Sequence, residues 1–281
     1  MPSLAEHQSY NVVKLLLLGN SKVGKTRSLS SLIYKYKLRI LDMDNLLDPL
    51  KHKIVEDFGE EGLERVEYVT IRDKYKMTPA GPVIDGPPRA FIEAIKMLDN
   101  WRYGDVDLGR PAEWGPDCVL VIDSLSRLCD AAFDWREPLT PRGRSGEYDQ
   151  RATYGDAQDA IEKLLAGLTS LFYNTNLILI CHGVFQDQPD GTKKIFPQGV
   201  GQKLSPKIPQ YFPNYIRYIN QGGNRLIQLV SDPTIDLGVA RPLKEKFLPA
   251  ESGLLTLFDA LCKAPPVAEK PQPRPVIFKR K

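Results

Sequence analysis

The sequence predicts an α/β fold, a mainly parallel sheet flanked by helices with antiparallel strands added at its C-terminal side. Three observations lead there. A glycine-rich loop, Gly19 to Thr26 (GNSKVGKT), sits between an apolar strand and a helix. Apolar runs recur at Leu38 to Asp42, Cys118 to Asp123 and Asn176 to His182, with segments of helical spacing between them, as expected of strands buried on both faces. Beyond His182 the alternation stops, and strand-like segments separated by turns follow.

Met1 to Tyr10 is polar and predicts a flexible arm. Val12 to Leu18 is the first strand, and Arg27 to Tyr34 the first helix. Leu38 to Asp42 is a second parallel strand, followed by a helix over Leu46 to Phe58 that Gly59 can stop. Val66 to Ile71 alternates as a strand. Met77 to Pro88, dense in proline and glycine, predicts a loop before a helix from Arg89 to Trp101. Cys118 to Asp123 is the next buried strand, with a helix starting at Ser124. A polar segment from Trp135 to Tyr154 precedes a helix over Ala157 to Phe172 and a core strand ending at His182. Pro189 to Thr192 is a hairpin turn, and Tyr215 to Ile219, Arg225 to Val230 and Lys244 to Leu248 predict the added strands. Residues 264–281, rich in proline and lysine, predict a disordered basic tail, which leaves one domain over residues 11–263.

Composition narrows the functional classes. A chain of 281 residues, 42% hydrophobic, can bury a full core. A net charge of +3 is too small to argue for nucleic acid by itself, so that case rests on where the basic residues sit. Cys118, Cys129, Cys181 and Cys262 lack metal-type spacing and read as reduced residues of a cytoplasmic protein. No run approaches the ~18 apolar residues of a membrane span, and no signal-peptide pattern opens the chain.

The loop carries the strongest chemistry. Gly19, Asn20, Ser21, Lys22, Val23, Gly24, Lys25, Thr26 and Arg27 form the segment that would cradle the phosphates of a nucleoside triphosphate. Lys25 would reach the β and γ phosphates, and the Thr26 hydroxyl would ligate Mg²⁺. Asp123, at the end of Leu120-Val121-Ile122, is the expected second Mg²⁺ residue, and its plainer alternative is a helix cap. Asp42 and Asp44 stand at the carboxyl end of the second strand, and Asp44 is the candidate for orienting an attacking water; both could instead cap the helix that follows. His182 ends a hydrophobic strand at the same sheet edge and could contact the γ-phosphate, the alternative being a core histidine. No N-K-x-D guanine-reading motif occurs, so ATP is the expected nucleotide.

Two polar segments follow strands on that edge. The first contains Arg142, Arg144 and Arg151, the second Lys193, Lys194, Lys203 and Lys207. Tyr148, Tyr154, Phe185 and Phe196 interleave them, a mixture that suits single-stranded nucleic acid and equally describes two solvated loops.

The order of these parts resembles the ATPase core of RecA-family recombinases, most closely phage RecA-like annealing and recombination ATPases, from about Val12 to Leu261. Gly19 to Thr26, Ile40-Leu41-Asp42-Met43-Asp44 and Val119 to Ser124 carry the likeness, and Leu177 to His182 looks like the family strand ending in a polar γ-phosphate sensor. Asp44 stands where that family has glutamate, and His182 where it has glutamine. The resemblance implies a RecA-like phosphate-loop core that uses ATP and Mg²⁺. It also implies DNA-stimulated hydrolysis and binding of single-stranded DNA in recombination, annealing or repair within a phage-infected host cell. A homo-oligomer or filament is further implied, with Lys244 and Lys246 reaching a neighbour's nucleotide and a single-strand-binding protein as a possible partner. A small-molecule kinase and an ATP-switched replication accessory or helicase loader stay open beside this reading.

Overall fold

The computed structural model describes residues 12–141 and 149–262. The expected arm over 1–10, the tail over 264–281 and the basic candidates Arg142 and Arg144 lie outside the described residues.

Strand β1 (Lys14–Gly19) is buried along its whole length and leads into the glycine-rich loop. Helix α1 is only Lys25–Ser28, and the chain tightens to a 3-10 segment over Leu29–Tyr34. The single helix expected here breaks for a local reason: Ser28 Oγ donates to Lys25 O and Ser31 Oγ to Ser28 O, both three residues back, where a 3-10 turn places its acceptors. β2 (Lys37–Asp42), α2 (Asp48–Phe58) and β3 (Val66–Thr70) follow.

The expected loop over Met77 to Pro88 is in part a hairpin, β4 (Tyr75–Thr78) with β5 (Gly81–Ile84). Gly81 supplies the positive φ of its turn, and a two-stranded ribbon loses little by including Pro82. α3 (Ala90–Asp99) starts where the Asp73 carboxylate accepts from the Arg89 and Ala90 amides. A small hairpin, β6 (Arg102–Tyr103) with β7 (Val106–Asp107), precedes β8 (Gly115–Asp123) and α4 (Leu125–Arg136).

α5 spans Gln150–Leu168, seven residues earlier at its start than periodicity suggested, because Asp149 accepts from the Arg151 and Ala152 amides and caps it. Arg151 therefore stands on a helix and not in a loop. The chain continues through β9 (Thr175–Cys181), the hairpin β10 (Gly183–Asp187) and β11 (Lys193–Pro197), and the short α6 (Gly201–Leu204). It closes with β12 (Asn214–Gln221), β13 (Asn224–Gln228), β14 (Phe247–Pro249) and α7 (Gly253–Cys262). Lys244 and Lys246 precede the last strand and do not belong to it. β13 ends at Gln228, which leaves one bond, Leu229 N to Lys246 O, to hold that approach.

Eight strands form one sheet in the order β14-β13-β12-β1-β9-β8-β2-β3. β12 through β3 run parallel, and β13 is antiparallel to both its neighbours. Successive residues of β1 feed opposite cores: Leu16 and Leu18 pack with α3, α4 and α5, while Leu15 and Leu17 pack with α2, the 3-10 segment and α7. Cys118, Cys129 and Cys181 are buried and Cys262 is half-buried, all as free thiols.

β9 lies between the strand that carries the glycine-rich loop and β8, which ends in Asp123. The buried Asn176 side chain fixes that placement: its Oδ1 accepts from the Val13 amide, and its Nδ2 donates to Pro116 O and Cys118 O. Three neighbouring parallel strands thus deliver the loop, His182 and Asp123 to one sheet edge.

Candidate nucleotide site

The loop between β1 and α1 owes its shape to its glycines. Gly24 holds φ +98°, a region side chains disfavour, and Lys22 also has positive φ. A Cβ on Gly19 would stand 3.0 Å from the Tyr218 backbone oxygen, so glycine lets β12 press against the loop. The buried Lys25 ammonium donates to Gly19 O at 2.7 Å and Asn20 O at 2.8 Å, which seats it within the loop. Burial lowers its pKa, and the negative charges of Asp123 and Asp44 oppose that shift.

Thr26 Oγ1 donates to Asp123 Oδ2 at 2.6 Å. Burial raises the Asp123 carboxyl to a pKa of about 6, against the Thr26 bond that lowers it. This hydroxyl and carboxylate, adjacent to each other and to Lys25, are the hard oxygen donors that suit Mg²⁺, so both residues named from the sequence for that ion fit the role.

The two aspartates after β2 divide their work. Asp42 is consumed by the backbone turn: its Oδ1 accepts from the Asp44 and Asn45 amides, and its Oδ2 from the Thr70 hydroxyl. Asp44 faces the site. Its carboxylate lies 3.9 Å from His182 Nε2 and 3.4 Å from Arg127 Nε. Burial works against its charge, but interactions with His182 and Ser124 and the Arg127 charge outweigh that and lower its pKa. His182 is itself anchored by backbone: its amide donates to Ser126 Oγ, and its carbonyl accepts from the Gln198 amide just past β11.

A cleft of about 650 Å³ that no sequence signal announces lies beside the loop, lined by Gly24, Arg27, Asn220, Asn224, Arg225 and Glu251. Arg225 Cδ lies 3.2 Å from where a Cβ on Gly24 would sit, so the arginine stem covers the loop's outer side. Arg225 makes no ion pair among the described residues, whereas Arg27 is held by Glu56. No local motif marks Arg225; its place follows from the β12–β13 hairpin alone.

The described parts of the two basic segments meet but are not equivalent. The first turns of α5 pack on the exit from β11, with Gln158 Nε2 donating to Val200 O and the Tyr154 ring close against Gly201. Lys194 pairs with Asp236 at 2.6 Å and Lys207 with Glu162 at 2.6 Å, so these two are already neutralised by nearby acids. Lys193 has only a loose, exposed pairing with Asp187 at 3.5 Å. Arg151 and Lys203 are exposed, with no ion pair among the described residues. Lys244 and Lys246 are exposed just before the edge strand β14 and are not among the residues that line the cleft beside the loop.

Residues 11–237 match the family described as an AAA domain. The chain belongs to that family. The phosphate loop, Asp44, Asp123 and His182 of this AAA domain all fall within the matched residues. No curated protein matches the chain. Among solved structures the AAA domain is similar to a prototypical ATPase from the type III secretion system of pathogenic bacteria. That alignment has 13% identity and a TM-score of 0.41, and covers 74% of this chain and 52% of the other. It is also similar to the ATP synthase subunit NeqB from Nanoarcheaum equitans, with 12% identity and a TM-score of 0.38 over 74% of this chain and 47% of the other. The chain thus spans about half the length of either protein. No helix among the described residues is long and apolar enough to cross a membrane.

Proposed function

We propose that this AAA domain hydrolyses ATP at the Lys25, Asp123, Asp44 and His182 edge and couples the state of the γ-phosphate to single-stranded DNA held by its basic segments. The observation that carries the reading is the convergence of Asp44 and His182, delivered by β2 and β9, on either side of Asp123.

The loop amides and Lys25 bind the triphosphate, and the cleft beside Arg225 takes the nucleoside. Thr26 and Asp123 would hold Mg²⁺, which when bound neutralises charge on the phosphate oxygens. Asp44, kept ionised at neutral pH, orients a water and accepts its proton as the water oxygen bonds to γ-phosphorus and the bond to the ADP oxygen breaks. The His182 ring contacts the γ-phosphate, and its backbone bond to Gln198 passes any shift to the β10–β11 hairpin.

Arg151, Lys193 and Lys203, the least neutralised of the basic candidates among the described residues, make the main phosphate contacts with DNA in this reading, and Lys194 and Lys207 contribute less. Lys244 and Lys246 act across a subunit boundary on a neighbour's nucleotide, in a phage-type recombination, annealing or repair assembly. The test is phosphate release with and without single-stranded DNA while particle mass is followed. Stimulation together with a rise in mass is expected; turnover indifferent to DNA at every concentration refutes the coupling.

A further inference from the structure

The opposite edge of the sheet carries a second feature, independent of the nucleotide reading. A cavity of about 610 Å³ opens where the chain enters β8 and β9, between the C-terminal ends of α3 and α5. Leu98, Leu164 and Leu168 contribute apolar lining. At its rim stands Phe172, 91% exposed, beside Leu171, 64% exposed. An aromatic ring this open to water, next to a hollow of apolar floor and charged rim that it does not fill, is what a docking surface presents.

We propose that this patch joins two copies of the chain about a two-fold axis, Phe172 of each entering the cavity of the other. Two relationships select a second copy as the occupant. First, knob and hollow belong to one patch, and a two-fold interface requires such self-complementarity. Second, the charges in the lining are self-complementary as well. Lys163 and Asp99 both line the cavity, and neither has an ion-pair partner among the described residues. A two-fold axis brings Lys163 of each copy to Asp99 of the other. Arg110 and Glu113 already pair within the chain at 3.1 Å and need no partner. Because the patch lies at the amino ends of the strands, the pairing does not occlude the phosphate loop and needs no nucleotide.

Sedimentation of the full chain without nucleotide, across a concentration series, tests this. Wild type is expected to form dimers, and Phe172→Glu to shift the dissociation constant at least tenfold upward. Gly167→Arg gives an independent check, because a Cβ there meets nothing within 4 Å, so the monomer accepts the side chain while the cavity mouth is filled. It should also be monomeric. Lys163→Glu and Asp99→Lys should each weaken the dimer, and the double variant should restore it. Nucleotide affinity, measured in parallel, should stay unchanged in all of them. A wild type that remains monomeric throughout, or a dimer that survives both Phe172→Glu and Gly167→Arg, overturns the proposal; failure of the double variant to recover overturns the paired-charge geometry.

Discussion

The Asp44 carboxylate stands 3.9 Å from His182 Nε2, although the two leave strands separated in the sheet by β8. The strand between them ends in Asp123, so a base candidate, an ion-ligand candidate and a phosphate-sensing candidate line one edge in spatial order. An ionised aspartate at this distance also favours one orientation of the imidazole. In the proposed mechanism, loss of either partner disturbs both the attacking water and the contact with the γ-phosphate.

Asp44→Asn keeps the shape of the side chain and removes the proton acceptor. Turnover should fall by about 10²- to 10⁴-fold with nucleotide affinity nearly unchanged. His182→Gln, which keeps a hydrogen-bonding group, should retain more activity than His182→Ala. Phosphate-release assays and fluorescent-nucleotide titrations separate the two effects.

Arg225→Ala should weaken nucleotide binding while leaving the hydrolytic step of bound nucleotide largely intact. If the nucleoside base seated in that cleft lies against the Arg225 guanidinium, the cation–π contact contributes roughly 0.5–2 kcal/mol, which corresponds to about a 2- to 30-fold rise in Kd when it is lost. Single-turnover hydrolysis at saturating nucleotide checks that the change lies in binding.

The basic residues should divide by their partners. Arg151→Ala with Lys193→Ala and Lys203→Ala should weaken single-stranded DNA binding and lower the slope of log K against log salt by about 0.7 for each lost phosphate contact. Lys194→Ala and Lys207→Ala, whose ammonium groups already face Asp236 and Glu162, should have smaller effects. Fluorescence anisotropy over a salt series measures both.

Lys14 gives a pH signature unrelated to the nucleotide. Burial lowers its pKa from 10.5 to about 7 in the folded chain, while it donates to Tyr173 O and Thr175 O. Between those two pH values the unfolded chain binds the extra proton, so folding stability rises with pH, and below about 7 the full cost of the buried charge is present. Relative to Lys14→Met, wild type should gain stability from pH 7 toward pH 10, by at most about 1.4 kcal/mol per pH unit. Urea denaturation of both proteins at several pH values reads this directly.

How far the site was legible depended on how local its signals are. The phosphate loop is contiguous, and the apolar run before Asp123 announces both the strand and the acid at its end. The family resemblance favours Asp44 over Asp42, but residue type and spacing do not explain the difference, which lies in the Asn45 turn and the Thr70 hydroxyl from another strand that occupy Asp42. Arg225 gave no signal, since it reaches Gly24 only through the pairing of β12 with β1 and of β13 with β12. Ser28 at the end of α1, Ser31 in the 3-10 segment after it and the Asp149 cap set helix limits through side-chain bonds that apolar periodicity does not register. Lys194 and Lys207 looked available for DNA because Asp236 and Glu162 lie far away in sequence.

In the proposed reading, hydrolysis requires Lys25 and its loop to hold the triphosphate during reaction. Inorganic phosphate release from Mg²⁺ and ATP by wild type and by Lys25→Ala, the variant shown to be folded by circular dichroism, tests it most directly. The expected result is measurable turnover in wild type and none above background in the variant. Equal release by both proteins, or a wild type that binds ATP tightly and never cleaves it with or without DNA, would contradict it.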